Sequence, residues 1–100
     1  MNDWPALEIL TMEDFETRRH RKLHLAAGGE TMPLEITEIT KMGQSQRNGG
    51  AFSVVFRGPS EPVVDQGVHC LEFEGMKPLE IFLVPVGEDD GGRLYEAVFG

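Results

Sequence analysis

Leu79-Glu80-Ile81-Phe82-Leu83-Val84-Pro85-Val86 is followed by Glu88-Asp89-Asp90-Gly91-Gly92 and then by Arg93-Leu94-Tyr95-Glu96-Ala97-Val98-Phe99. Two apolar-rich runs flank a turn-forming cluster, the pattern of a β-hairpin. A five-residue loop over 88–92 pairs Leu83 with Ala97 and Ile81 with Phe99. It places Leu79, Ile81, Leu83, Tyr95, Ala97 and Phe99 on one face. The opposite face holds Phe82, Val84, Val86, Leu94 and Val98, interrupted by Glu96. A four-residue loop would exchange the faces of the last strand, because side chains alternate with period two. An antiparallel sheet in a lone small domain leaves one face polar. The second apolar face is therefore expected to be covered, by the N-terminal segment or by another subunit, as in a homodimer.

The same alternation runs back to Leu23. Arg21–Ala27 presents Leu23, Leu25 and Ala27 to one side, and Gly28-Gly29-Glu30 turns the chain. Leu34–Thr40 is the next strand; Leu34 and Ile36 share a face while Ile39 is out of phase, which places a β-bulge near Thr37-Glu38. Met42–Gly50 reads as a polar, mobile loop. Phe52, Val54 and Phe56 point inward with Ser53 and Arg57 outward, and Gly58-Pro59-Ser60-Glu61-Pro62 ends that strand. Val68–Glu74 sets His69, Leu71 and Phe73 on one side, before a turn at Gly75-Met76-Lys77-Pro78. Six strands with short connections predict an all-β fold, a small six-stranded antiparallel barrel; a two-sheet sandwich is the alternative. Phe52, Phe56, Leu71, Phe73 and Leu83 should fill so narrow a barrel.

Ahead of the strands, residues 1–10 form an N-terminal segment with Trp4-Pro5, Leu7, Ile9 and Leu10. A short helix is expected over 11–20. Thr11 can cap it with Asp14 three residues on, and Arg18, Arg19 and Arg21 suit the negative end of its dipole. Phe15 would plug one end of the β structure. The 100 residues form one domain, and 40% apolar with 26% charged content is that of a folded globule. No apolar run approaches the ~20 residues of a bilayer span, and the acidic N-terminus is unlike a secretory signal, so the chain reads as cytoplasmic. A single cysteine, Cys70, excludes an intramolecular disulfide. Net charge is −8, concentrated in residues 51–100, where Arg57, Lys77 and Arg93 face nine Asp and Glu. That balance repels phosphate backbones and argues against nucleic acid.

Candidate chemistry is sparse. His20 and His24 have the spacing of two ligands on a helix turn, but the helix should end before His24 and Arg19, Arg21 and Lys22 repel a cation. Cys70 and His69 are adjacent, so in a strand they point to opposite faces and form no nucleophile–base pair. Glu88-Asp89-Asp90 lacks the alternating oxygen ligands of a calcium loop and reads as a turn. The basic run Arg18–Lys22 is a solvated face whose best functional use is pairing with the Glu88–Asp90 hairpin of a neighbouring subunit. Arg57, at a strand end, is expected to pair with Glu72 or Glu96. No catalytic residue, metal site or cofactor site emerges.

Phe52-Ser53-Val54-Val55-Phe56-Arg57-Gly58-Pro59, Gln66-Gly67-Val68-His69, Leu79–Gly87 and Tyr95-Glu96-Ala97-Val98-Phe99, with Leu10-Thr11 and Glu13-Asp14-Phe15 at the opening, resemble an uncharacterised bacterial family of small single-domain proteins. That family is known only as a domain of unknown function. The resemblance covers about residues 10–99 and implies no activity and no catalytic residue. Its members resemble components encoded near phage-tail-collar-like proteins, which implies an accessory part in a phage-tail-like assembly. The residues themselves favour a non-catalytic protein-interaction module using Phe82, Val84, Val86, Leu94 and Val98, with a ligand-binding or enzymatic barrel as the alternative.

Overall fold

A computed structural model describes Trp4 and residues 10–27, 29–43 and 50–100. Pro5, Leu7, Ile9, Gly28 and most of the polar loop, residues 44–49, lie outside the described residues. The chain forms α1 (Met12–Glu16), β1 (Leu23–Ala27), β2 (Glu30–Lys41), β3 (Phe52–Gly58), β4 (Gly67–Phe73), β5 (Leu79–Asp89) and β6 (Gly92–Phe99). The strands close into an antiparallel barrel in the order β1-β2-β3-β6-β5-β4.

Two long strands make the closure possible. β2 pairs with β1 through Glu30–Leu34 and with β3 through Glu35–Lys41. β5 pairs with β4 through Leu79–Leu83 and with β6 through Val84–Asp89. Each long strand passes from one half of the barrel to the other and carries a bulge on its second half, between Ile36 and Glu38 in β2 and between Pro85 and Gly87 in β5. An extra residue bends a strand and increases its twist, which is what a corner requires. The β2 bulge lies where the out-of-phase Ile39 placed it, and it returns Ile39 to the core side. Pro33 and Pro85 both sit where their strand has a neighbour on one side only, positions that tolerate a missing N–H. β2 consequently starts at Glu30, four residues before the expected Leu34.

The final hairpin keeps its expected faces by a different route. Val84 pairs with Glu96 and Pro85 with Tyr95, in step with the anticipated register, but the ladder stops there and the expected pairs Leu83–Ala97 and Ile81–Phe99 do not form. Beyond the bulge Gly87 pairs with Leu94 and Asp89 with Gly92, so the turn is Asp90-Gly91 and not the five-residue loop. The bulge absorbs the one-residue shift, and Tyr95, Ala97 and Phe99 still face inward, all buried. Gly92 is obligatory: its φ is +141° and a Cβ there would collide with the Gly58 carbonyl oxygen.

The core is filled by side chains from every strand. Phe52, Val54, Phe56, Leu71 and Leu83 have no exposed surface, and Phe73 has 2%. Phe15, also fully buried, plugs one end: its ring lies 6.0 Å from Phe52, 5.5 Å from Phe99 and 5.3 Å from Trp4. Thr11 and Asp14 form the expected capping box, Thr11 N–H donating to Asp14 Oδ2 at 2.8 Å and Asp14 N–H to Thr11 Oγ1 at 3.2 Å. The helix itself is shorter than expected, ending at Glu16, and no basic residue occupies its last turn. The arginines have tertiary partners instead. Arg18 lies 4.9 Å over the Trp4 ring and donates to the Asp14 carbonyl, Arg19 donates to the Thr37 carbonyl, and Arg21 to that of Glu74. The run read as a solvated face therefore pins the helix-to-strand junction onto the barrel.

Candidate protein-docking face

At each corner of the barrel the two strands that part from one another leave a surface cavity, and the two cavities differ completely in chemistry. Where β2 leaves β3, a cavity of about 320 Å³ is lined by Pro33, Leu34, Glu35, Arg57, Gly58, Pro59 and Gly91. Arg57 dominates it. Its Nη1 donates to Glu35 at 2.6 Å and its Nη2 to Asp89 at 2.8 Å, while Nε shares Asp89. The expected partners, Glu72 and Glu96, are not used: Glu35 is the register neighbour of Arg57 across β2–β3, whereas Glu96 faces Val55 two pairs further along and Glu72 pairs with His24 on β1. The hydrogen bonds from Arg57, with the Gly91 N–H, hold the Asp89 carboxyl below its ordinary value. Asp89 and, second, Glu35 raise the guanidinium in return. Every Arg57 nitrogen is engaged, so this corner is a clasp closing β2 onto the last hairpin, and its Asp89 is not available to a neighbouring chain.

Where β5 leaves β6, the cavity is about 190 Å³ and lined by Ile81, Phe82, Ala97, Val98 and Phe99. Its existence follows from the ladder. β5 up to Leu83 is bonded to β4, and Ala97–Phe99 pairs with Val54–Phe52 of β3, while β5–β6 pairing begins only at Val84↔Glu96. Phe82 and Val98 form the outer lip, 51% and 56% exposed. Val68, in register with Phe82 on β4, is 65% exposed and extends the patch. Val84 and Leu94 are half-buried between neighbouring strands, and Val86, the bulge residue, is 50% exposed. The five residues expected on the outer face are thus on it, in one stretch from the cavity to the hairpin turn. Among the described residues nothing lies over them; Trp4, from the segment expected to provide cover, packs instead against Phe15 and Phe73 at the barrel end. Val68 was not among those five, although the alternation of His69, Leu71 and Phe73 to the inside already implied it.

The other candidates separate in space. Cys70 faces outward between Ala26 and Glu80. Burial first, then the charges of Glu72 and Glu80, push its thiol above the ordinary value, the opposite of an activated nucleophile. His69 sits on the other side of the strand with Nε2 2.7 Å from the Asp65 carbonyl oxygen. His20 lies in the turn after α1, and His24 pairs across the sheet with Glu72 and Pro33. Among the described residues no three His, Cys, Asp or Glu group as metal ligands, and no helix is long and apolar enough to cross a membrane.

A family model covers residues 10–99, all of the barrel together with its plug helix. The chain belongs to DUF6916, a domain of unknown function. No curated protein and no solved structure matches it. The DUF6916 match begins at Leu10, so the buried Leu10, the Thr11–Asp14 cap and Phe15 are part of the family's domain along with the six strands.

Proposed function

We propose that this DUF6916 domain is a non-catalytic protein-interaction module that docks a partner on the outer face of β4, β5 and β6. The observation that carries the reading is the exposure of Phe82 and Val98 at the lip of an apolar cavity, with exposed Val68 beside Phe82, in a chain whose interior is already filled. A contiguous apolar patch on the surface of a small soluble domain marks an interaction site. Use of the interior for ligand binding or catalysis finds less support, because Phe52, Phe56, Leu71, Leu83 and Tyr95 occupy it with 1% exposure or less. Capture from a native extract, with wild type and Phe82→Ser as baits and the retained proteins quantified, tests the reading. One protein held in near-stoichiometric amount by wild type and lost with Phe82→Ser is the expected result. Identical retained sets from two folded baits would overturn it.

A further inference from the structure

The charges around the cavity narrow what can dock there. The charged side chains on the outward side of β4, β5 and β6 are Glu72, Glu80, Glu96 and Asp89, all carboxylates; Cys70 beside them is a neutral thiol, and Arg93 takes the Tyr95 side of β6, away from Val98. Asp89 is committed to Arg57. Glu80 precedes Phe82 by two residues on β5, and Glu96 precedes Val98 by two on the antiparallel β6. Two residues along a strand is about 6.6 Å, so the two carboxylates stand at opposite ends of the cavity, one beyond each lip residue. Glu72 stands near Glu80, across the ladder in which Cys70 pairs with Glu80. Arg57 on β3, which pairs with Leu94 of β6, already serves Glu35 and Asp89.

A second copy of this chain docking face to face would set these carboxylates against one another, and an anionic lipid surface would be repelled by them. Like charges across an interface suppress a partner, while opposite charges select it and speed its arrival. Resting on the docking reading above, we infer that the occupant is a polypeptide segment of another protein with one bulky apolar anchor flanked by Lys or Arg. The anchor fills the cavity between Phe82 and Val98, and the basic side chains reach Glu80 and Glu96. An anchor side chain seated in a desolvated pocket carries most of the binding energy of an interface, and charges around it set register and partner choice.

The test uses the full chain, isotope-labelled, titrated with two synthetic probes: a short peptide alternating lysine with leucine around a central phenylalanine, and its glutamate counterpart. The lysine peptide is expected to shift the amide resonances of Ile81–Leu83 and Ala97–Phe99, and the glutamate peptide to leave them in place. Glu80→Gln/Glu96→Gln should weaken the lysine peptide by about three- to tenfold, from two exposed charge pairs. The charge-matched control Glu13→Gln/Glu30→Gln, away from the face, should change it less than about twofold, and Phe82→Ser should abolish the shifts. Equal binding of both peptides at the face would overturn the inference while leaving the docking reading standing. So would Phe82-dependent self-association in sedimentation velocity, or Phe82-dependent binding to phosphatidylglycerol vesicles in place of the peptide. Equal weakening by the control double variant would reduce the effect to net charge and overturn the inference as well. Failure of both peptides to perturb the face also overturns it, and the docking reading is then judged by the extract capture alone.

Discussion

Neighbouring residues of β5 offer a direct test of the alternation on which the docking face depends. Leu83 has no exposed surface and Phe82 is 51% exposed, yet the two are consecutive in the chain. Truncating Leu83 to Ala removes buried methyl groups and leaves a cavity in a filled barrel, a loss of about 3 kcal/mol within the range for Leu→Ala. Truncating Phe82 to Ala removes a larger side chain, but half of its surface is already in water. Fully burying such a side chain is worth roughly 1.5–3 kcal/mol, so the buried half amounts to about 1 kcal/mol. With a urea slope near 1.5 kcal/mol/M for a domain this size, the unfolding midpoint should fall by roughly 2 M for Leu83→Ala and by roughly 0.7 M for Phe82→Ala. Urea titrations followed by Trp4 fluorescence and by far-ultraviolet circular dichroism measure both. Equal shifts for the two variants would refute the reasoning, because Phe82 would then be packed in the free protein and unavailable to a partner.

Two further outcomes follow from the electrostatics. The Asp89 carboxyl is held below its ordinary value chiefly by Arg57, so its stabilising contribution is complete above the unfolded carboxylate's pKa and disappears as pH falls through the depressed folded value. Asp89→Asn should accordingly be less stable than wild type at neutral pH and lose less on acidification, read as thermal midpoints from pH 7 down to pH 3; parallel curves would show that the clasp contributes nothing. The Cys70 thiol is raised by burial and by Glu72 and Glu80, so iodoacetamide should modify it more slowly at pH 8 than it modifies a free cysteine, with Glu80→Gln speeding the reaction. A rate at or above that of free cysteine, by mass spectrometry, would contradict the assigned environment.

The two corner cavities give one scaffold two unrelated surfaces. Both arise because a long strand must leave one neighbour to join another, and the residues that happen to line the gap decide its use. At the β2 corner an arginine fork and two carboxylates line the gap and tie its sides together. At the β5 corner the lining is aliphatic and aromatic.

Local pattern was enough for the barrel's six strands, the inward set from Leu23 to Phe99, the Thr11–Asp14 cap, the plug residue Phe15 and the β2 bulge, because each depends on period and on contacts a few residues apart. Likewise the two-faced apolarity of the last hairpin is written in consecutive residues. Contacts distant in sequence were not legible. Arg57 finds Glu35 and Asp89, not Glu72 or Glu96, because the closed strand order sets β2 and the hairpin turn on either side of it. Arg18, Arg19 and Arg21 leave the helix end for Trp4, Thr37 and Glu74 for the same reason. The bulge at Val86 and the cavity beside Phe82 also belong to the tertiary structure alone. Alternation tells a side chain which face it takes, but only closure of the barrel decides where two strands must separate and what stands around the opening.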